Sequence, residues 1–189
     1  MDKRRIKGGV LLSRLDFVRE RAGDEVLQAI IAALPEEDRK IFSGLVLPRS
    51  WYPFDTAARL EDAIALRLSP AAPEVIFLEF GRASADSNLL AHHAVFVKKD
   101  DPQHLLSCAP KIYALYYQSG RRTYEKTGPT SAILRTFDAE QYSSNDCLTV
   151  VGWHQRAIEL SGGKNARVKE TQCRAKGASH CEYACEWSV

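Results

Sequence analysis

The chain has 189 residues, 45% of them hydrophobic and 26% charged, with a formal net charge of +2 at pH 7. That balance suits one soluble globular domain and excludes a disordered chain; at this length roughly 70% of the unfolded surface can be buried without help from disulfides. No apolar run approaches the ~18–20 residues of a membrane span, and Arg14 cuts short the apolar stretch after the basic N-terminus before it reaches signal-peptide length.

Residues 1–120 read as mainly helical. Asp24 is placed to cap a helix with Val26, Leu27, Ile30, Ile31 and Leu34 on one face. Pro35-Glu36-Glu37-Asp38 has the proline-first, acid-rich composition of another helix start. Trp51-Tyr52-Pro53 reads as a turn, and Asp55 opens a helix carrying Leu60, Ile64 and Leu68, broken by Ser69–Pro73. Val75–Leu78 is short enough to be strand or helix; helix is the reading adopted, continuing to Leu90. Asp101-Pro102 starts a helix with Leu105, Ala109, Ile112 and Tyr116 on one face, Tyr113 and Tyr117 beside them, and Gly120 as its stop.

Residues 121–189 change texture. Arg121–Lys126 and Ser131–Phe137 flank a Gly128-Pro129 turn as two strands. Asn145-Asp146 is placed to cap a helix from Cys147 to about Leu160, ended by Gly162-Gly163, and Arg167–Arg174 with His180–Trp187 forms a second hairpin. The fold class expected is α+β: an antiparallel sheet of about four strands covered by helices, with a helical N-terminal half, in one domain over 1–189.

With no leader peptide, the five cysteines are expected in a reducing cytoplasm, where metal binding or burial is favoured over disulfide pairing. Cys173 and Cys181 stand at the two ends of the second hairpin's turn, and Cys147 falls in the first turn of the preceding helix, where backbone N–H groups favour a thiolate. Three thiolates and one carboxylate suit a closed structural zinc site. Glu170 can be the fourth ligand only if the strand ends or bulges before Cys173, because residues three apart on a regular strand face opposite sides. His180, Cys185 and His154 compete for that place, and the bland reading is that the thiols are small buried hydrophobes.

Cys147-Leu148-Thr149-Val150-Val151-Gly152-Trp153, Glu170-Thr171-Gln172-Cys173 and Gly177-Ala178-Ser179-His180-Cys181 resemble the V4R (4-vinyl reductase) domain, in the version found in phenol-sensing regions of bacterial transcriptional activators. The resemblance is specific over about residues 145–185. It implies a structural zinc held by Cys147, Glu170, Cys173 and Cys181. It also implies a fold shared with vesicle-tethering subunits and haem nitric-oxide sensors, and dimerisation through the helical half. A pocket for a small apolar or aromatic ligand is implied as well, lined here by Phe77, Phe96, Tyr113, Tyr116, Tyr117 and Trp153. Lys98 and Lys126 fall where the phenol sensors carry the His and Trp that hold the phenol hydroxyl, which counts against phenol itself.

The function expected is therefore a cytoplasmic, zinc-stabilised, homodimeric small-molecule sensor acting through an unidentified downstream protein. The alternative is a protein–protein adaptor of vesicle-tethering type. A haem gas sensor stands further back: Tyr117-x-Ser119-x-Arg121 matches the haem-propionate motif of nitric-oxide sensors, but His92, His93 and His104 do not stand at the family's distance before it. Catalysis is not expected: there is no Gly-rich phosphate loop or His-Glu-x-x-His helix, and Cys108 reads as buried, although the resemblance brings with it a vinyl-reductase assignment. Nucleic acid is not an expected partner, since the basic residues are scattered and the Lys3–Lys7 cluster stands without a nucleic-acid-binding motif.

Overall fold

The computed structural model describes residues 4–140 and 142–189, and of residues 91 and 92 the backbone alone. Lys3 of the basic cluster and the side chain of His92 thus lie outside the described residues. Strand β1 (Arg5–Lys7) leads into α1 (Gly8–Ala22), α2 (Asp24–Ala32) and α3 (Glu36–Phe42). Strand β2 (Trp51–Pro53) precedes α4 (Phe54–Leu68) and α5 (Pro73–Ser87), and α6 (Pro102–Ser107) and α7 (Ala109–Tyr116) complete the helical half. Strands β3 (Arg121–Gly128) and β4 (Ser131–Phe137), helix α8 (Ser144–Leu160), and strands β5 (Lys164–Gln172) and β6 (Cys181–Ser188) follow. The four long strands form one antiparallel sheet in the order β3-β4-β6-β5, so the expected α+β architecture is the one observed.

Three local readings change. Trp51–Pro53, expected as a turn, pairs with β1, placing Ile6 opposite Tyr52; Pro53 is tolerated because it ends an edge strand. The helix expected from Pro102 to Tyr116 is two helices. Asp101 caps the first by accepting from the His104 N–H at 3.0 Å, but Pro110 cannot donate to a continuous ladder, so the chain breaks at Cys108 and restarts. Helix α8 is capped by Ser143, whose Oγ accepts from the Asp146 N–H at 2.9 Å, rather than by Asn145 or Asp146.

The sheet buries one face. Ala132, Leu134 and Thr136 of β4 alternate inward, level with Cys185, Tyr183 and Cys181 of β6, as a half-buried antiparallel sheet requires. Helix α8 covers that face with Val150, Val151 and Ile158. Its other side meets α5 at a glycine crossing. A Cβ on Gly81 would fall 2.0 Å from the Thr149 carbonyl oxygen, and one on Gly152 would fall 2.0 Å from that of Leu78. Only hydrogen fits at either position, so the two helices approach backbone to backbone. Helices α1, α4 and α5 share a buried ion pair, Arg14 Nε donating to Glu61 Oε1 at 2.7 Å and Nη1 to Ser84 Oγ at 2.6 Å. Among the described residues no helix is long and apolar enough to cross a membrane.

Candidate functional site

Two places bring chemistry-bearing side chains together, and α8 runs through both. The first is a thiol cluster. Cys147 lies in the first turn of α8, Glu170 near the end of β5, Cys173 just past it, and Cys181 opens β6. One ligand atom from each of the four lies within 4.8 Å of all the others. The strand irregularity that Glu170 requires is present: the β5–β6 register shifts between Glu170, opposite Tyr183, and Gln172, opposite Glu182. That bulge turns Glu170 and Cys173 to the same side. The competitors are elsewhere. Cys185 is buried further along β6 against the Tyr183 carbonyl, His180 stacks on Phe137 at 4.7 Å, and His154 faces a separate cavity.

The sulfurs also satisfy one another. The Cys147 S–H donates to Cys181 Sγ at 3.6 Å, Cys173 donates to Cys147 at 3.8 Å, and the Arg174 N–H donates to Cys181 at 3.3 Å. The bond from Cys147 holds the Cys181 thiol down, to about 6, against the effect of burial. The same bond, seconded by burial, pushes Cys147 up, and burial raises Cys173 and takes Cys185 up to about 12. Lys176 Nζ donates to Glu170 Oε2 at 3.3 Å, while Oε1 is buried with no hydrogen-bond partner.

The second place is a cavity of about 70 Å³ between helices and sheet. Of the six residues expected to line a pocket, Tyr113, Tyr116, Tyr117 and Trp153 do so. Phe77 instead packs edge-on to Phe80 in the helical core, and Phe96 packs against His93, so neither reaches this cavity. Tyr113 and Tyr117 stack at 4.8 Å; the Tyr113 hydroxyl donates to the Ser119 carbonyl at 2.8 Å and that of Tyr117 to Asp146 Oδ1 at 3.4 Å. Burial takes the Tyr116 phenol up to about 12 and raises Tyr117 well above its ordinary value. Burial likewise raises the Asp146 carboxyl to about 7.

Five polar lining residues, Arg14, Ser84, Asn88, Arg122 and Thr149, were not legible as a site in the sequence. Arg14 did leave a signal: it occupies the buried face of α1 with Leu11, Leu15 and Val18, where an arginine needs a partner. Arg122 and His154 left none, because a strand–helix contact has no local spacing to reveal it.

No family model matches the chain, and no curated protein does. Solved structures do. An H-NOX protein from S. oneidensis in the Fe(II)NO ligation state aligns with a TM-score of 0.76 and 18% identity, covering 97% of this chain and 99% of that one. An Fe(II) unliganded H-NOX protein from K. algicida gives 0.71 and 13%, covering 97% of each chain. A structure concerned with modulating heme redox potential through porphyrin distortion gives 0.67 and 11%, covering 95% and 99%. At these identities the likeness establishes a common fold. The V4R resemblance thus stands without a matching family model, whereas the broader fold expected with it is observed.

Zinc as this chain's cofactor is corrected by the same finding: those three structures are described by Fe(II) or heme, none by zinc. The physical reason that the spacing does not single out zinc is the thiol hydrogen-bond chain, through which three close sulfurs partner one another.

Nor do the residues of the cavity fit a haem. Its volume of about 70 Å³ is under half that of the ~150 Å³ cavity that holds one benzene. An imidazole can serve as axial ligand only with a nitrogen lone pair free and facing the iron. His154 lines the cavity, but its Nε2 is engaged by Arg122 Nη1 at 3.1 Å. His93 Nε2 is engaged by the Tyr116 hydroxyl at 2.9 Å, and His104 is exposed on α6. The Tyr117, Ser119 and Arg121 side chains do not converge either: Ser119 Oγ accepts from the Glu140 N–H, and Arg121 lies outside over Phe137, paired with Asp138 at 3.7 Å.

Proposed function

We propose that this chain is a cytoplasmic small-molecule-binding sensory module that acts through a partner protein and not as an enzyme. The observation that carries the reading is the aromatic cavity closed by Tyr113, Tyr116, Tyr117 and Trp153, set in a fold shared with H-NOX proteins. Rings give apolar contact, and a few buried polar groups give orientation, the usual make-up of a ligand pocket. A haem is not the ligand proposed, for want of room and, among the described residues, of a free imidazole at the cavity.

Trp153 supplies the test. Small organic molecules added to the purified protein are expected to change its indole resonance, a signal assigned by its loss in Trp153→Phe. A resonance unmoved by a broad panel of small polar and aromatic molecules would refute the reading. Homodimerisation through the helical half belongs to the same proposal; light scattering should give twice the mass of one chain, and a monomer would remove it. On geometry alone, Cys147, Glu170, Cys173 and Cys181 are further proposed as a cation site that ties α8 to the β5–β6 turn, with no resident cofactor assigned.

A further inference from the structure

The inner cavity has a larger neighbour. A groove of about 730 Å³ runs between α1, the loop before β2, the end of α5 and the last turn of α7. Ligand sites commonly span ~300–1,000 Å³, a range that includes the groove and not the cavity. Asn88 and Tyr116 line both spaces, so they form the wall between them. The chain's own bonds hold the groove in shape. Pairing of β1 with β2 brings residues 48–50 onto the start of α1, where the Gly8 N–H donates to the Ser50 carbonyl at 2.9 Å and the Gly9 N–H to that of Pro48 at 3.0 Å. Asn88 opens a π-helical turn, Asn88–His92, closed by the His93 N–H donating to the Asn88 carbonyl at 2.7 Å; such turns recur at functional sites. His93 Nε2 and the Tyr116 hydroxyl share a hydrogen bond at 2.9 Å.

The lining combines two kinds of surface. Leu12, Pro48, Leu115 and Tyr116 are apolar, and Leu115 is 43% exposed despite its size. Lys7 and Arg49 are cationic. Lys7 Nζ donates to the Arg49 carbonyl at 2.9 Å and lies 3.8 Å from the centroid of the Trp51 ring, but among the described residues no carboxylate pairs with either cation. The acid of the lining, Asp16, is paired with Arg19 at 2.8 Å. The groove thus carries net positive charge beside apolar surface. A neutral chain would leave the two cations without a counter-charge, and a small inorganic anion would leave Leu12 and Leu115 in water. A molecule with an anionic head and an aliphatic chain answers both.

We propose that the groove binds a free amphiphilic anion of medium chain length, its head at Lys7 and Arg49 and its chain on Leu12, Leu115 and Tyr116. This goes beyond the sensory reading above, whose cavity lies on the other side of Tyr116. The chain supplies most of the affinity, since each methylene buried on apolar surface tightens binding up to about fourfold. The two exposed cations add selectivity for charge, roughly threefold to tenfold at low salt and less as salt screens them.

The test is titration of the full-length protein with octanoate, octanol and acetate at neutral pH and low ionic strength, following the ring resonances of His93, which lines the groove. Octanoate is expected to give a saturable shift at least about threefold tighter than octanol, with acetate far weaker than either. Arg49→Gln, at an exposed position, should remove most of the preference for octanoate and leave octanol unchanged. Leu115→Ser should weaken both roughly fivefold. Should a variant fail to fold, the three ligands on the natural protein decide alone. Equal affinities for octanoate and octanol, or no saturable octanoate shift, would overturn the proposal. So would vesicles of anionic phospholipid that bind the protein while free octanoate leaves His93 unmoved. The signals keep the two readings apart: if other small molecules move Trp153 while octanoate leaves His93 unmoved, the groove assignment falls and the sensory reading stands.

Discussion

Acidification should unfold this protein partly through one imidazole. His154 is neutral in the folded state, because burial disfavours its charge and Arg122 repels a proton. In the unfolded chain it titrates near the ordinary ~6.5. Below that pH the unfolded state binds a proton that the folded state does not, so stability falls as pH falls. Each unit corresponds to about 1.4 kcal/mol, so between pH 7.5 and 5.0 this residue alone removes up to about 2 kcal/mol. Asp146 acts in the opposite sense. Its carboxyl, raised to about 7 by burial, binds a proton in the folded state over a range where the unfolded carboxyl is ionised. That contribution is therefore present at low pH and lost as pH rises toward 7. The measured profile is a difference of the two. Urea unfolding of the natural protein and of His154→Gln at a series of pH values separates them, since Asp146 is common to both. The variant should gain up to about 2 kcal/mol relative to the natural protein between pH 7.5 and 5.0, whatever its offset at neutral pH. Parallel profiles would refute the assignment of a buried neutral imidazole.

Other substitutions probe the frame. Gly152→Ala, with its methyl driven onto the Leu78 carbonyl, should cost about 3 kcal/mol or prevent folding, read as a fall in Tm; an unchanged Tm would mean that α5 and α8 are further apart. Arg14→Met leaves Glu61 charged in the core and should cost about 3–5 kcal/mol, while Arg14→Met with Glu61→Leu should recover most of it in chemical denaturation. Co(II) added to the reduced protein should produce a thiolate-to-metal charge-transfer band that is lost in Cys173→Ser. A featureless spectrum from the natural protein would remove the cation site.

The elements were legible where periodicity was local. The runs around Leu27–Ile30 and Leu60–Ile64 each specify one face, and each face is buried as expected. The thiol cluster was legible too, since a hairpin brings Cys173 and Cys181 together whatever the rest of the fold does; the bulge that admits Glu170 could be stated only as a condition. Trp51–Pro53 was misread because a strand of three residues exists only through its partner, Arg5–Lys7, which is distant in sequence. Pro110 was passed over because the apolar face continues on either side of it. The cavity's polar wall was hidden for the same reason as the short ribbon: Arg122 and His154 meet across the junction of β3 and α8, and neither shows in its own segment that it needs the other.

The glycine crossing of α5 and α8 leaves that rod little freedom to slide. Cys147 and His154 sit on it two turns apart, about 10 Å along the axis. Whatever displaces one end must be felt at the other, because the rod is pinned at Gly152, close to His154. Events at the sulfurs and events at the imidazole thus share a single lever with a fixed fulcrum, and the short arm belongs to the imidazole.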